Sequence, residues 1–279
     1  MRGWLWLGVV AACGRLGFDG RTAGGGGGGA GGGGGASGPD ASAGVAQPTT
    51  DGLVAYWTFD DVVDGNVPAP DASGNAHDAQ CRDAGTCPTT TAGAKGNAAQ
   101  FDGKAQCLTV PTLTTWDDPQ LTVSAWVQAA GPDGSIFTHE SSNGCPSPEL
   151  RLGSGAAGLV QLNTSDSTHN NAFTPDAVMT PAQWHHVAVT WDGAKQVVYV
   201  DGACNCAVAP QLQPLDNPME VTIGCYPNAG EVFGGAIDEL RVYNRALDST
   251  EIGTLSSYVT GEPVVVSPCD AACSTVAPL

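Results

Sequence analysis

The feature that most constrains the fold is a pair of alternating apolar segments joined by Asp-Gly. Val187–Trp191 and Gln196–Val200 place apolar side chains at every second position, which is the period of a half-buried β-strand. Asp192-Gly193 lies between them. Asp-Gly between β-branched segments predicts a hairpin, because both residues tolerate a positive φ. Asp201-Gly202 closes the second segment, so antiparallel strands are expected here.

Similar alternation recurs along the rest of the chain. Leu53–Phe59 places Trp57 and Phe59 on one face, and Leu121–Val127 is a regular alternation. Many short strands with polar turns and almost no helical periodicity predict an all-β, two-sheet antiparallel jelly-roll sandwich. Further strands are expected at Phe101–Val110, Ser135–His139, Glu149–Leu152, Leu159–Asn163, Met219–Ile223 and Ala236–Tyr243.

One short C-terminal helix is expected. The segment Asp248–Glu251 resembles a capping box. In this motif the Asp248 side chain accepts from a backbone N–H of the first turn, and the Glu251 side chain accepts from the backbone N–H of Asp248. This predicts a helix over Ser249–Ser257, with Ile252 and Leu255 on one face.

Six segments, in this order, give the chain a specific resemblance. They are Gly52–Asp60 (GLVAYWTFD), Asp71–Asn75 (DASGN), Ala99–Gly103 (AQFDG), Leu121–Val127 (LTVSAWV), Gln183–Gly193 (QWHHVAVTWDG) and Ile237–Leu247 (IDELRVYNRAL). Together they resemble the LamG-like domains of the concanavalin A-like lectin/glucanase superfamily. The resemblance covers Asp51–Tyr258. It implies a jelly roll with adjacent N- and C-terminal strands, and a ligand that is carbohydrate, protein or another molecule, frequently with calcium.

The N-terminus has the features of an export signal. Arg2 precedes an apolar segment from Trp4 to Ala12, which is shorter than the roughly 20 residues that span a bilayer. Val10-Ala11-Ala12-Cys13 resembles the lipobox of bacterial lipoproteins, which implies that Cys13 is lipidated; the alternative is an ordinary cleaved signal. Gly14 after the cysteine favours the outer membrane by the same resemblance.

A glycine-rich spacer separates Cys13 from the folded part. Gly24–Gly29 and Gly31–Gly35 have no side chains to bury, so a flexible coil is expected. Its root-mean-square reach is roughly 30–40 Å. The expected organisation is a signal peptide over 1–12, the lipidated cysteine and linker over 13–50, the sandwich over 51–258 and a tail over 259–279.

Charge and cysteine content narrow the function. The formal net charge is −18, and an acidic surface repels phosphate backbones, so nucleic acid is not an expected partner. Ten cysteines behind an export signal indicate an oxidising compartment. Cys81 with Cys87 is expected to close a short loop, and Cys269 with Cys273 to staple the tail. Cys145 with Cys225, and Cys107 with Cys204 or Cys206, are guesses, because pairing cannot be deduced from sequence.

Catalysis is not expected. A glucanase of this superfamily carries a Glu-x-Asp-x-x-Glu pattern that aims two carboxylates into one cleft, and that pattern is missing from the sequence. Adjacent residues on a strand point to opposite faces, which excludes a shared cleft for the pairs Asp60-Asp61, Asp117-Asp118, Asp238-Glu239 and His185-His186.

Calcium is a possible cofactor, because Ca²⁺ takes carboxylate, amide and carbonyl oxygens from loops. The family resemblance brings Asp60, Asp71, Asn75 and Asp238 together as candidate ligands. The alternative is that Asp71, Ser73 and Asn75 form an ordinary Asx turn.

The ligand-binding candidates lie in expected loops. Trp116 and Tyr226 could stack on a sugar, and Asn163, Asp166 and His169 could donate polar contacts. The expected function is a non-catalytic, surface-displayed module that binds carbohydrate or an extracellular protein. The alternatives are a glycoside hydrolase-like enzyme and a structural or adhesive envelope lipoprotein.

Overall fold

The structure is a computed structural model that describes residues 46–61, 69–113, 120–131, 133–140, 146–153, 158–163, 171–174, 177–208, 221–226, 231–266, 269 and 271–272. Cys13 therefore lies outside the described residues, as do Trp116, Asp166 and His169. Within these ranges the elements are β1 (Leu53–Trp57), β2 (Gln80–Cys81), β3 (Thr89–Ala92), β4 (Asn97–Asp102), β5 (Leu108–Val110), β6 (Leu121–Ala129), β7 (Gly134–Glu140), β8 (Pro146–Leu152), β9 (Val160–Asn163), β10 (Asn171–Phe173), β11 (Trp184–Trp191), β12 (Gln196–Val200), β13 (Ala203–Val208), β14 (Val221–Ile223), β15 (Gly234–Tyr243) and α1 (Ser249–Thr260).

The strands form two antiparallel sheets, which confirms the predicted jelly-roll sandwich. The eight-stranded sheet has the order β13-β12-β11-β6-β15-β4-β3, and β1 also pairs with β15. The seven-stranded sheet has the order β10-β9-β8-β7-β14-β5-β2. The pairing of β1 with β15 places the N- and C-terminal strands side by side, as the family resemblance implies.

The core lies between the sheets and is built by strand alternation. Val187, Val189 and Trp191 of β11 point inward and are at most 2% exposed, while the intervening residues point outward. Trp57 lies in the same cluster. Trp126 lies on the outer face of the eight-stranded sheet, where its ring is 5.6 Å from that of His186.

Helix α1 covers part of that outer face. Its first turn carries the predicted capping box, with the Asp248 side chain accepting from the backbone N–H groups of Thr250 and Glu251. Ile252 and Leu255 are buried against Tyr199 and Tyr243. The helix is three residues longer than predicted and ends at Gly261, which has a φ of 73°. Among the described residues, no helix combines the length and apolarity needed to cross a membrane.

One predicted strand is wrong. Phe101–Val110 is divided between β4 and β5, which belong to different sheets. Asp102 begins a turn, because its Oδ1 accepts from the backbone N–H groups of Lys104, Ala105 and Gln106. Gly103 takes a φ of 67° in that turn. The Asp-Gly pair therefore ends the strand here, as it does after β11.

The disulfides confirm one predicted pair and correct the others. Cys81 is bonded to Cys87 as predicted. Cys225 is bonded to Cys107 rather than to Cys145, and Cys269 is bonded to Cys204 rather than to Cys273. Cys145 and Cys273 lie outside the described residues. The correct pairs join segments 118 and 65 residues apart, which become neighbours only through sheet pairing.

Candidate functional site

The outer face of the seven-stranded sheet is polar and buried. Core residues such as Leu150 and Leu152 alternate along the strands with polar residues that point away from the core. Strand register aligns these polar residues across β5, β14, β7, β8 and β9. Each is at most 9% exposed. We call this set the polar face: Thr109, Thr222, Ser135, Thr138, Glu149, Arg151 and Gln161.

An ionic network occupies the middle of the polar face. The Ser135 hydroxyl donates to Oε1 of Glu149, and Nη1 of Arg151 lies 3.8 Å from the same oxygen. Nη1 of Arg151 also donates to Oε2 of Glu231, which adjoins the polar face from the segment before β15. The Glu231 side chain is 39% exposed and that of Glu149 is 1% exposed. The network therefore extends from a buried carboxylate to a solvent-facing one.

The backbone around Cys225 fixes one side of this network. The hydroxyls of Thr138 and Thr222 donate to the Cys225 carbonyl oxygen at 3.5 and 2.9 Å. The Cys107–Cys225 disulfide holds the same residue against the start of β5. The Glu231 carbonyl oxygen accepts from the N–H groups of Ser135 and Tyr226, both at 3.3 Å. Glu231 is therefore placed beside Arg151 by backbone hydrogen bonds.

The chemistry of the polar face suits a polyhydroxylated ligand. Carboxylate oxygens accept hydrogen bonds from hydroxyl groups, and guanidinium N–H groups donate to them. Nε of Arg151 is buried without a hydrogen-bond partner among the described residues. Because a buried donor of this kind is costly to leave unsatisfied, it marks a position where a ligand or water oxygen would be stabilised.

The predicted ligand-binding residues are brought together only in part. Asn163, at the end of β9, pairs with Glu149 in the strand register. Tyr226 follows β14 and lies beside Glu231, four residues beyond Thr222. Two strands, β8 and β7, separate β9 from β14. Asn163 and Tyr226 thus flank the ionic network from different sides.

Sequence reasoning missed the polar residues at the centre of this site. Ser135, Glu149, Arg151 and Gln161 fall within predicted strands, but no functional role was predicted for them. The usable signal was the alternation of Glu149 and Arg151 with Leu150 and Leu152, because two opposite charges on one strand face form a pair. Glu231 offered no such signal, since its partner is 80 residues away.

Two of the four predicted calcium ligands form a turn instead. The Asp71 carboxylate accepts from the backbone N–H groups of Tyr56, Ser73 and His77 at 2.8 to 3.0 Å. The Asn75 amide donates to the Val54 carbonyl oxygen at 2.9 Å. Burial alone would raise the pKa of Asp71, but these hydrogen bonds outweigh it and hold the pKa below its usual value. This is the Asx-turn alternative, and it braces the loop against β1.

The other two predicted ligands meet at one loop. Oδ1 of Asp60 accepts from the N–H of Asn97 at 2.8 Å, and Oδ2 of Asp238 accepts from the N–H of Lys95 at 2.9 Å. Asp238 is 0% exposed. Burial chiefly, with the charges of Glu239 and Asp60, raises the pKa of Asp238 to about 7. No cluster of three or more His, Cys, Asp or Glu side chains suited to a metal occurs among the described residues.

This pair fits calcium if the backbone supplies the remaining ligands. Ca²⁺ takes six to eight oxygens, including backbone carbonyls and water. The loop folds tightly over the two carboxylates, because a Cβ at Gly96 would lie 2.0 Å from Oδ1 of Asp60 and one at Gly93 would lie 2.6 Å from Oδ2 of Asp238. Asp60 and Asp238 therefore lie against this loop, whereas Asp71 and Asn75 make their hydrogen bonds within their own turn and to β1.

A second buried ionic cluster braces the opposite sheet. Nη2 of Arg241 lies 2.6 Å from Oε2 of Glu239, which also accepts from the Tyr56 hydroxyl at 2.7 Å. The Arg241 guanidinium stacks 3.8 Å from the centre of the Tyr56 ring. Burial raises the pKa of Tyr56, so its hydroxyl remains a donor. We call Tyr56, Glu239 and Arg241 the Arg241 cluster. Sequence reasoning missed it as well.

Comparisons with known proteins agree with this fold. The family model of the concanavalin A-like lectin/glucanases superfamily matches residues 102–253. No curated protein matches the chain significantly.

Solved structures with the same fold include binding domains. Domain 4 of AbnA, an extracellular GH43 arabinanase from Geobacillus stearothermophilus solved in complex with arabinotriose, is 21% identical with a TM-score of 0.60; the match covers 73% of this chain and 98% of that one. The binding domain of Paraclostridial Mosquitocidal Protein 1 is 14% identical with a TM-score of 0.61, over 75% and 52% of the two chains. The ligand-binding domain of botulinum neurotoxin serotype D, in complex with N-acetylneuraminic acid, is 13% identical with a TM-score of 0.54, over 76% and 52%.

The matched region thus spans nearly all of the arabinanase domain but about half of each toxin domain. At these identities the similarity establishes the fold. The family match extends over more than half of the 279 residues and covers β5 to β15 of the observed jelly roll. The chain therefore belongs to the concanavalin A-like lectin/glucanase superfamily.

Proposed function

We propose that this protein is a non-catalytic carbohydrate-binding module and that the polar face is its binding site. The observation that carries the proposal is the Ser135–Glu149–Arg151–Glu231 network. It converges acceptors and charged donors on an outer sheet face that carries no apolar side chain at the aligned positions. In small-ligand sites, a few precisely placed polar groups fix the orientation of the ligand and provide specificity. The arabinotriose complex of a domain with this fold supports the choice of ligand class.

Replacing Glu149 by glutamine is expected to weaken glycan binding by about 10- to 100-fold. The change removes a charged acceptor, and hydrogen bonds to charged groups contribute about 1.5–3 kcal/mol. Binding would be measured by calorimetry on a ligand selected from a glycan array. Glu262→Gln is the matched control, because Glu262 is exposed on the segment after α1. Equal affinities of the wild-type protein and the Glu149→Gln variant, with unchanged melting, would contradict the assignment of the site.

The main alternative is a glycoside hydrolase-like enzyme. A glycosidase needs two carboxyl groups with different roles, one of them a protonated acid. Here the same Arg151 guanidinium already contacts both Glu149 and Glu231, so the two carboxylates are not in distinct environments. A hydrolysis screen on polysaccharides separates the two functions, since release of reducing sugar that Glu149→Gln abolishes would establish an enzyme.

A protein ligand or a purely adhesive role is the other alternative. The array separates it from the proposal, because a folded protein that binds no glycan but adheres to cells or matrix protein would have that role.

We propose further that calcium binds between Asp60, Asp238 and the loop of residues 93–97. Calcium at about 100 times its dissociation constant stabilises the folded state by about 2.7 kcal/mol. For a domain of this size that raises the melting temperature by roughly 5–10 °C. The measurement is thermal melting in calcium and in chelator. Asp238→Asn should abolish the shift, whereas Asp71→Ala should lower both melting temperatures and preserve it. Identical wild-type curves in calcium and chelator would eliminate the site.

We also propose that Cys13 is lipidated and that the spacer displays the domain at the cell envelope, as an outer-membrane or surface lipoprotein. The support is local to the sequence, namely the lipobox-like tetrad and the glycine-rich segment. Several acyl chains are needed for stable anchoring. Labelling of expressing cells with a palmitate analogue should therefore mark the wild-type protein and not Cys13→Ser. Release of unlabelled wild-type protein into the medium would disprove the anchor.

A further inference from the structure

The polar face has one cation for two carboxylates. Among its described residues the charged side chains are Arg151 and Glu149, and the adjoining Glu231 adds a second carboxylate. The sum is one negative charge. The whole chain adds to it, with a formal net charge of −18.

The cation is already committed to these carboxylates. Nη1 of Arg151 donates to Glu231 and lies 3.8 Å from Oε1 of Glu149. An acidic ligand would have to displace one carboxylate to reach the guanidinium, and it would bring a like charge against the remaining one. Like-charge contacts in a poorly hydrated site are strongly unfavourable.

The unused hydrogen-bonding groups instead suit neutral hydroxyls. Within the described part of the chain, Nε of Arg151 is a buried donor without a hydrogen-bond partner. The hydroxyls of Thr138 and Thr222 donate to the Cys225 carbonyl oxygen, which leaves their oxygens free to accept. The partly exposed Glu231 carboxylate can accept from sugar hydroxyls. These groups supply both donors and acceptors, but among the described residues of the polar face they include no unpaired cation that would attract an acidic ligand.

We infer that the polar face selects uncharged glycans and rejects those that carry carboxylate or sulfate groups, a conclusion that rests on the proposed carbohydrate-binding function. This selectivity arises from the contacts of Arg151 with Glu149 and Glu231 as much as from the net charge of the protein. At 0.1 M ionic strength, salt largely screens exposed charges that are more than about 10 Å apart. It screens a buried contact much less. Rejection of acidic glycans should therefore persist at high salt.

The test uses pairs of oligosaccharides that differ only in charge. An array would carry oligogalacturonates and oligomannuronates, each as the free acid and as its methyl ester, beside neutral galactans, arabinans and mannans. We expect binding to neutral members and to any matching ester, with each free acid at least about 100-fold weaker than its ester. The same ratio is expected at 50 and 500 mM sodium chloride.

Glu231→Gln probes the mechanism of this selectivity. The variant removes the exposed carboxylate and leaves Arg151 with one partner, so the ester-to-acid affinity ratio should fall at least about 10-fold. Glu262→Gln removes one charge at a distant exposed site and should leave the ratio unchanged. If Glu262→Gln lowers the ratio equally, net charge alone determines selectivity and the role of the Arg151 pair is overturned.

The outcomes separate the inference from the function on which it rests. Acidic glycans that bind the wild-type protein as tightly as their esters would overturn the inference and leave carbohydrate binding intact. A folded protein that binds no member of the array would overturn both.

Discussion

Replacing Arg241 by methionine is expected to lower the free energy of unfolding by about 3–5 kcal/mol, since it leaves a buried charge without its partner. The Glu239 side chain is 1% exposed and its cation is 2.6 Å away. Methionine fills much of the same volume but supplies no charge. The Tyr56 hydroxyl, 2.7 Å from Oε2 of Glu239, remains as one donor, which is insufficient to replace an ion pair. Denaturant unfolding followed by tryptophan fluorescence measures the loss.

A double-mutant cycle tests whether the unpaired charge is the cause. Glu239→Gln removes that charge, so the pair Arg241→Met and Glu239→Gln together should recover a large part of the stability. Lys104→Met is the control, because Lys104 is exposed and its side chain has no ion pair among the described residues; it should change stability by less than about 0.5 kcal/mol. An Arg241→Met variant within about 1 kcal/mol of wild type would show that Glu239 needs no cation.

Removal of the Cys107–Cys225 disulfide is expected to cost about 4–5 kcal/mol. In the chain-entropy account, a cross-link stabilises by restricting the unfolded chain, and the effect grows with the length of the closed loop. This bond joins residues 118 apart in sequence. Both cysteines are at most 3% exposed. The Cys107→Ala and Cys225→Ala double variant should therefore unfold at a much lower denaturant concentration.

The Cys81–Cys87 bond provides the matched comparison within the same chain. It closes a separation of only 6 residues, and the same account assigns it roughly 2 kcal/mol. Removal of this pair should cost about half as much as removal of the Cys107–Cys225 pair. Equal losses would mean that local packing, and not loop length, determines the contribution of these disulfides.

The stability of the Cys107–Cys225 variant also bears on the site. Cys225 presents the carbonyl oxygen that accepts from Thr138 and Thr222. Loss of the disulfide frees this backbone, so ligand affinity should fall together with stability. The disulfide is thus a positioning element for the polar face, although it makes no contact with Arg151 among those described.

Local sequence signals predicted a strand correctly where turn residues marked both of its ends. β11 and β12 are correct because alternation is bounded by Asp192-Gly193 and Asp201-Gly202, and Asp192 does accept from the N–H groups of Ala194 and Lys195. The strand over Phe101–Val110 failed for a complementary reason. The Asp102-Gly103 pair is a local signal for a turn, but nothing local indicates that the two halves enter different sheets.

Long-range pairing could not be predicted, as the cysteines and the calcium candidates show. Cys225 has several possible partners in sequence, and only the approach of β14 to β5 selects Cys107. Asp60 and Asp238 meet because β1 pairs with β15 and the loop of residues 93–97 folds over both. Asp71 and Asn75 do not join them, because both residues make hydrogen bonds to the backbone of β1.

Local sequence is sufficient to predict the alternating strands, their Asp-Gly turns and the capping box of α1, because each depends on residues within a few positions of one another. It also carried the ordered segments that indicate the family. Two features depend on the assembled sheets: Arg151 of the polar face meets Glu231, and Glu239 is buried beside Arg241. Alternation along a strand indicates which residues point away from the core. The register between strands and the burial of the outer sheet face determine which charged side chains meet.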